Sequence, residues 1–415
     1  LADKSISNTK VGDDIRGVLE KASFKKAQNL ETEKKYLESA NQYQFFAAQN
    51  AKSELVGMAY FNAGINFERS GKNKEAVTNY KKVITSNNLQ AVALKPKAKK
   101  LLAKQYQDSG QFEEAGKLYS ELAKENANDL QYDNYLYNSA LMLEITGRNN
   151  EAISEYENYL RVAKSKEENA AVTFKIAQLL RKSDRLSESL GIYRRFAEMQ
   201  DANVDKKIEA QYWIYNLSNR LSVKIDTNSV EVKMRSLMTA LPETKKQSAN
   251  TYLAKIKIIQ AEESFTKLRS VSIPINPAQQ KILVDKKLEQ MSELNELIGG
   301  VIKLDSAEEI VSALYILGES NEHMANTFSA VPIPTNLKDE QKKLYLEGIE
   351  KIITPFMNKS EESYKLAIER GIDLQVYNQA YKNAFAKMHQ KYPQQFYSAG
   401  EAASESKVID WMGDK

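Results

Sequence analysis

Small and apolar residues recur along the first half of the chain at helical spacing, in pairs of short runs separated by polar turns. In residues 59–84, AYFNAGINFERSGKNKEAVTNYKKVI, one run holds Tyr60, Ala63, Gly64 and Phe67, and the next Ala76, Tyr80 and Val83. Steps of three and four place each run on one face of an α-helix. Between them lies Ser70-Gly71-Lys72-Asn73, where Gly71 can supply the positive φ that ends a helix. The stretch predicts two short amphipathic helices in a hairpin, with small residues where they touch.

The unit is copied. The small residue that opens the second helix recurs as Ala76, Ala115, Ala152 and Ser189, at intervals of 39, 37 and 37 residues. An aromatic follows four positions later each time, as Tyr80, Tyr119, Tyr156 and Tyr193. The turn glycine returns as Gly110 and Gly147, with Asp184 in its place in the last copy. This arrangement resembles the tetratricopeptide repeat. The resemblance implies an all-α, right-handed superhelical solenoid with a C-terminal extension of longer helices. Each copy exceeds the family's usual length, and the excess is assigned to turns around Asn87–Lys95, Asn126–Asp129 and Ser165–Glu168. Residues 13–50 read as a worn first copy through Tyr36, Ala40 and Ala47, after a flexible start over 1–12.

The pattern fades after residue 198. Residues 199–303 read as degenerate helical hairpins: 210–221 with 229–241, then a long helix over 245–270 closed by Pro274, then one restarted by Asn276-Pro277. Gly299-Gly300 is expected to weaken or bend the latter. Residues 304–392 read as one repeat split open. Its first helix carries Leu317-Gly318, and its second carries Ser360, Tyr364 and Ala367. The repeat template puts position 20 at residue 330, whereas Ser360 holds it. The insert, residues 329–358, begins with VPIPTNL, which forbids helix, and continues as a helix over Lys338–Ile353 that Pro355 should kink or split from the next. Residues 373–392 predict a capping helix, and 393–415 a tail.

Composition narrows the function. Lys+Arg 59 against Asp+Glu 55 is a small, interspersed excess of positive charge, which argues against nucleic acid as a partner. No run approaches the ~18 apolar residues of a membrane span. The polar start without Met reads as a processed or trimmed protein, and the absence of cysteine favours an oxidising compartment. His323 and His389 each stand alone on a predicted helix, so no metal ligand set is formed and both read as surface or packing residues. Around Gly71-Lys72, Asn66 and Asn73 stand where a phosphate-binding loop needs Gly and Ser/Thr. No catalytic residue, cofactor or metal is expected.

In the repeat family that the sequence resembles, the first helices line an inner groove that takes a peptide or a helix. Carried over, that face comprises Phe61 and Ile65; Lys97, Lys100 and Lys104; Tyr137, Asn138 and Leu141; and Phe174, Lys175, Gln178 and Arg181. Lys100, Lys104, Asn138, Ala171 and Lys175 fall at the positions of the family's two-carboxylate clamp and match it in part, which allows acidic peptides among the ligands more readily than a precise carboxylate lock. KPKAKK (95–100) is also readable as a solvated helix start, and that reading is preferred to the clamp. Val331, Pro332, Pro334 and Leu337 form a second candidate interaction element.

Residues 246–392 resemble more specifically the C-terminal part of deltaproteobacterial tetratricopeptide proteins that accompany gliding-motility and envelope machinery. The likeness rests on V-P-x-P-x-x-L after an L-Y-x-x-G helix, the Pro355-interrupted helix, and S-x-x-x-Y-x-x-A before Y-N-x-x. It implies a periplasmic scaffold that binds other proteins. The alternatives are a cytoplasmic adaptor for a polarity or motility regulator and, least favoured, a peptidoglycan-associated enzyme.

Overall fold

The computed structural model describes residues 9–272, 277–331, 333 and 337–396, with the side chains of 277–279 left aside. Among these there are seventeen helices and no strand. The chain divides into two compact units, Leu1–Ser189 and Leu190–Lys415.

The first unit is built from helical hairpins: α1 (Lys10–Thr32) with α2 (Tyr36–Gln49), α3 (Val56–Arg69) with α4 (Asn73–Thr85), α5 (Leu89–Asp108) with α6 (Phe112–Glu125), and α7 (Tyr132–Ile145) with α8 (Asn149–Val162). Then come α9 (Lys166–Lys182) and the start of α10 (Leu186–Glu198). Gly71, Gly110 and Gly147 have φ of 74°, 75° and 76°, as the turn requires. Each turn is closed by the same two backbone bonds. At Gly71 they run from Gly71 N–H to Glu68 O (3.0 Å) and from Lys72 N–H to Phe67 O (2.8 Å). Packing explains the small residues: a Cβ added at Gly64 would lie 2.5 Å from Cε1 of Tyr80, whose side chain is wholly buried.

One expected turn is helix instead. The Asn87–Lys95 excess is taken up by α5, which starts at Leu89 with the Asn88 side chain capping Gln90 and Ala91 N–H. Pro96 sits inside that helix; the carbonyl it leaves unbonded belongs to Val92, which is exposed and can be hydrated.

The second unit continues with α11 (Val204–Arg220) and α12 (Thr227–Met238), α13 (Glu243–Ser270) and α14 (Pro277–Ile302), α15 (Ala307–Ser329) and α16 (Asp339–Asp373), and α17 (Gln379–Lys391). Leu253, Ala254, Leu268, Leu294, Val301, Ala313 and Met324 belong to one core, and Leu314, Tyr364, Ala367 and Met388 to a second.

Three features of the second unit go beyond the sequence pattern. The repeat turn does not stop at 198: Ser222 at φ 55° repeats it, with Ser222 N–H to Asn219 O and Val223 N–H to Ser218 O. α14 runs through Gly299-Gly300 to Ile302, and a Cβ at Gly300 would lie 3.2 Å from Cδ of the Lys257 side chain. Pro355 does not split α16, a single helix of 35 residues. Lys351, whose carbonyl loses its partner, is exposed to water, and Thr354 Oγ1 bonds Glu350 O at 2.8 Å beside it.

A Cβ at Gly318 would lie 2.5 Å from Tyr364 Cε1, as at Gly64 and Tyr80. The two helices that meet across a three-residue turn in the regular copy meet here across the insert.

Candidate functional site

Four hairpins are pinned by a polar contact that the apolar pattern does not show. The tyrosine of the second helix donates its hydroxyl to a residue twelve positions earlier: Tyr43 to Glu31 (3.4 Å), Tyr80 to Glu68 (2.9 Å), Tyr119 to Gln107 (3.2 Å) and Tyr156 to Glu144 (2.8 Å). Burial, reinforced by the carboxylate, pushes the Tyr43 phenol up to about 12 and raises Tyr80 and Tyr156 as well. In the split repeat Tyr364 donates to Glu322 (2.6 Å), which stands four residues after Gly318 just as Glu68 stands four after Gly64. It also reaches Glu319 at 3.0 Å. Glu31, Glu68, Gln107 and Glu144, each twelve before its tyrosine, were readable in the sequence, but only a structure gives that spacing meaning.

These pins use up part of the expected groove. Lys175 gives its ammonium to Glu144 at 2.9 Å and lies 5.5 Å from the Tyr156 ring centre, so its charge is already neutralised. Phe174 is 5% exposed and belongs to the core rather than to a binding wall. Tyr137 packs edge-on against Tyr156 and Tyr159, at 5.8 and 5.6 Å. Phe61 lies 6.3 Å from the Tyr80 ring and, like Ile65, Asn138, Leu141, Gln178 and Arg181, is half-buried.

The lysines of α5 differ. Lys99 points inward, 7% exposed, and is held by Glu121 (2.8 Å) and Glu125 (2.8 Å); burial disfavours its charge, but the two carboxylates raise its affinity for the proton above the ordinary value. Lys97, Lys100 and Lys104 are exposed, and three-and-four spacing puts them on one side of the helix. Lys100 bonds the Gln131 side chain, and among the described residues no carboxylate pairs with any of the three. Of the second interaction element, Val331 and Leu337 are half-buried, while Pro332 and Pro334 lie outside the described residues.

The same template points to a place that was missed. With Gly318 at position 8, positions 2, 5, 6 and 9 of the split repeat are Ser312, Tyr315, Ile316 and Glu319. All four line a cavity of about 510 Å³ between α13, α15 and α17, together with Phe265, Arg269 and Asn383. Arg269 bonds Glu319 at 2.9 Å and lies 4.0 Å over the Phe265 ring. Burial works against the ionised Glu319, but the Lys387 ammonium at 3.1 Å outweighs it and holds the carboxyl below its usual range.

Nearby, Lys287 is wholly buried and has no carboxylate partner among the described residues, donating to Leu268 O (2.8 Å) and lying 2.9 Å from His323 Nε2. Burial lowers the pKa of both groups, and for His323 the cations Lys287 and Arg269 lower it further. Among the described residues no group of His, Cys, Asp or Glu could hold a metal ion, and no helix is long and apolar enough to cross a membrane.

Comparison with known families agrees with the repeat geometry. Residues 57–165 and 135–256 match the family described as "Tetratrico peptide repeat". No curated protein matches the chain. Among solved structures, the C-terminal part of a repeat-containing protein from Cytophaga hutchinsonii is 12% identical with a TM-score of 0.37, over 70% of this chain and 98% of that one. A tetratricopeptide repeat protein from Parabacteroides merdae is 15% identical with a TM-score of 0.33, over 68% and 98%. PilF from Pseudomonas aeruginosa is 14% identical with a TM-score of 0.29, over 55% and 95%.

Proposed function

We propose that this chain is a non-catalytic scaffold that holds an acidic, extended segment of a partner protein along the outward lysines of α5 and the half-buried inner positions of α3 and α7. Tetratricopeptide repeats are protein-interaction scaffolds, and the repeats here reach at least residue 256. The observation that carries the charge preference is the division of labour on α5: the inward Lys99 is neutralised by two carboxylates, while Lys97, Lys100 and Lys104 face solvent with none. Exposed lysines act as point charges on flexible stems, so they favour acidic sequence without enforcing a bidentate carboxylate lock.

The test is fluorescence anisotropy with a labelled peptide of alternating Glu and Leu, at low and high salt. Lys97→Glu, Lys100→Glu and Lys104→Glu together should weaken binding at least tenfold, and added salt should do the same to the unmodified protein. Binding indifferent to all three reversals overturns the assignment. Lys175→Glu is a poor probe, since it would break the Glu144 pair within the fold.

For the cellular setting we propose an envelope assembly of the gliding-motility kind, with the chain on the periplasmic side. The support is the likeness of residues 246–392 to such proteins and the absence of cysteine. Protease accessibility of the native protein in intact and osmotically opened cells tests it; protection until the inner membrane is breached refutes it.

A further inference from the structure

A helix with one side in water normally turns polar residues to it. α1 does not. Val11, Ile15, Val18 and Leu19 are 61%, 41%, 67% and 57% exposed. With the exposed Ala22 they occupy a sector of about 100° of the helix, at 3.6 residues per turn. The roughly opposite side carries Phe24 and Ala27 into the core and ties Glu20 to Ser53 and Ser23 to Gln42. The stripe is therefore not core turned aside; it is a second apolar face.

We propose that this face binds the same face of a second copy of the chain, with the two α1 helices antiparallel. Positions 11, 15, 18 and 22 step by four, three and four, the spacing of a two-helix seam. Laid antiparallel, Ile15 falls opposite Val18 of the second copy, and Val11 opposite its Ala22. On one flank Asp14 then faces Lys21 of the second copy, and the two-fold axis makes each contact twice. A parallel pairing loses that complementarity, setting Lys21 near Lys26 of its mate. Lys10 and Lys25 also fall opposite one another in the antiparallel pair, but they sit at its ends, where long stems can carry both charges into water. A net charge of +4 over 415 residues puts up little long-range repulsion. A single helix pair is small beside the ~1,200–2,000 Å² of a stable interface, so the dimer is weak and concentration-dependent.

Sedimentation of the whole chain over a wide concentration range tests this. A reversible monomer–dimer equilibrium is expected, weakened at least tenfold by Val18→Glu. Asp14→Lys should weaken it several-fold, and Asp14→Lys with Lys21→Asp should restore it, since the attractive pair is re-formed with its signs exchanged. These positions are exposed, so circular dichroism should show the fold unchanged. The cysteine-free background gives the register: Ile15→Cys mixed with Val18→Cys should cross-link as a heterodimer faster than either variant does alone. A monomer at every concentration, a dimer indifferent to Val18→Glu, a double exchange no better than the single one, or preferential Ile15→Cys homodimers would each overturn the proposal.

Discussion

The repeat turn offers a quantitative test of how these hairpins are held. At Lys34, Gly71, Gly110, Gly147, Asp184 and Ser222 the backbone takes φ between 55° and 76°. The closing bonds are the same throughout; at Ser222 the second runs from Val223 N–H to Ser218 O at 2.8 Å. A side chain in this left-handed region costs ~1–2 kcal/mol. Replacing it by glycine recovers that strain but returns ~0.4–1 kcal/mol of freedom to the unfolded chain. Ser222→Gly and Lys34→Gly should therefore each stabilise by ~0.5–1 kcal/mol, and Asp184→Gly by less, because aspartate tolerates this conformation. In the other direction, a Cβ at Gly71 meets nothing within 4 Å, so Gly71→Ala should lose ~1 kcal/mol from the backbone alone. Urea denaturation followed by circular dichroism measures the differences. Because repeat arrays can unfold piecewise, amide exchange should also show protection rising in α11 and α12 for Ser222→Gly. A destabilised Ser222→Gly together with a neutral Gly71→Ala would refute the claim that backbone strain governs these turns.

Other consequences are sharper in sign than in size. Gly64→Ala and Gly318→Ala should destabilise by ~1–3 kcal/mol in spite of alanine's better helix propensity, since the new methyl meets the Tyr80 or Tyr364 ring at 2.5 Å; trimming Tyr364 to Leu should relieve the second, as read by thermal melting. Lys287 and His323 both release protons more readily folded than unfolded, so stability should rise with pH, through His323 up to about 6.5 and through Lys287 toward about 10.4. Lys287→Met should flatten the alkaline part of that slope in urea titrations at several pH values, and an unchanged slope would show that another group carries it. Glu361, bonded first by Lys365 and then by Lys391, is held down at about 2, so its stabilisation is present above about 4.3 and lost between there and about 2; Glu361→Gln should blunt that acid transition in tyrosine fluorescence.

The hairpins were legible because their evidence is local. Ala76, Tyr80 and Gly71 state a helix, a contact and a turn within a few residues, and each recurs at nearly fixed intervals. The turn at Ser222 escaped notice because the residue type gives no hint of a conformation that the surrounding hydrogen bonds enforce. Pro355 does not split its helix for the complementary reason: a proline's cost depends on whether the freed carbonyl can reach water, which exposure decides. The groove was half legible. Lys97, Lys100 and Lys104 do face outward, but Phe174, at the template position of Lys100, is consumed by packing, and Lys175, at that of Asn138, by Glu144. Whether an inner position faces a ligand or a neighbouring helix depends on the long-range partner that meets it.

The sequence alone determined the architecture: an all-α repeat whose periodic small and aromatic residues can be satisfied only by stacked hairpins, and a split copy announced by the displacement of Ser360, Tyr364 and Ala367 from Gly318. Tertiary structure decided which charges are spent and which are free. Glu68 and Glu144 look like surface carboxylates until a tyrosine twelve residues on reaches them, and Lys287 looks like any helix lysine until burial removes its water. Periodicity is a property of neighbours along the chain, and one sequence can display it. The availability of a charge is a property of neighbours in space, and only the packed helices assign those.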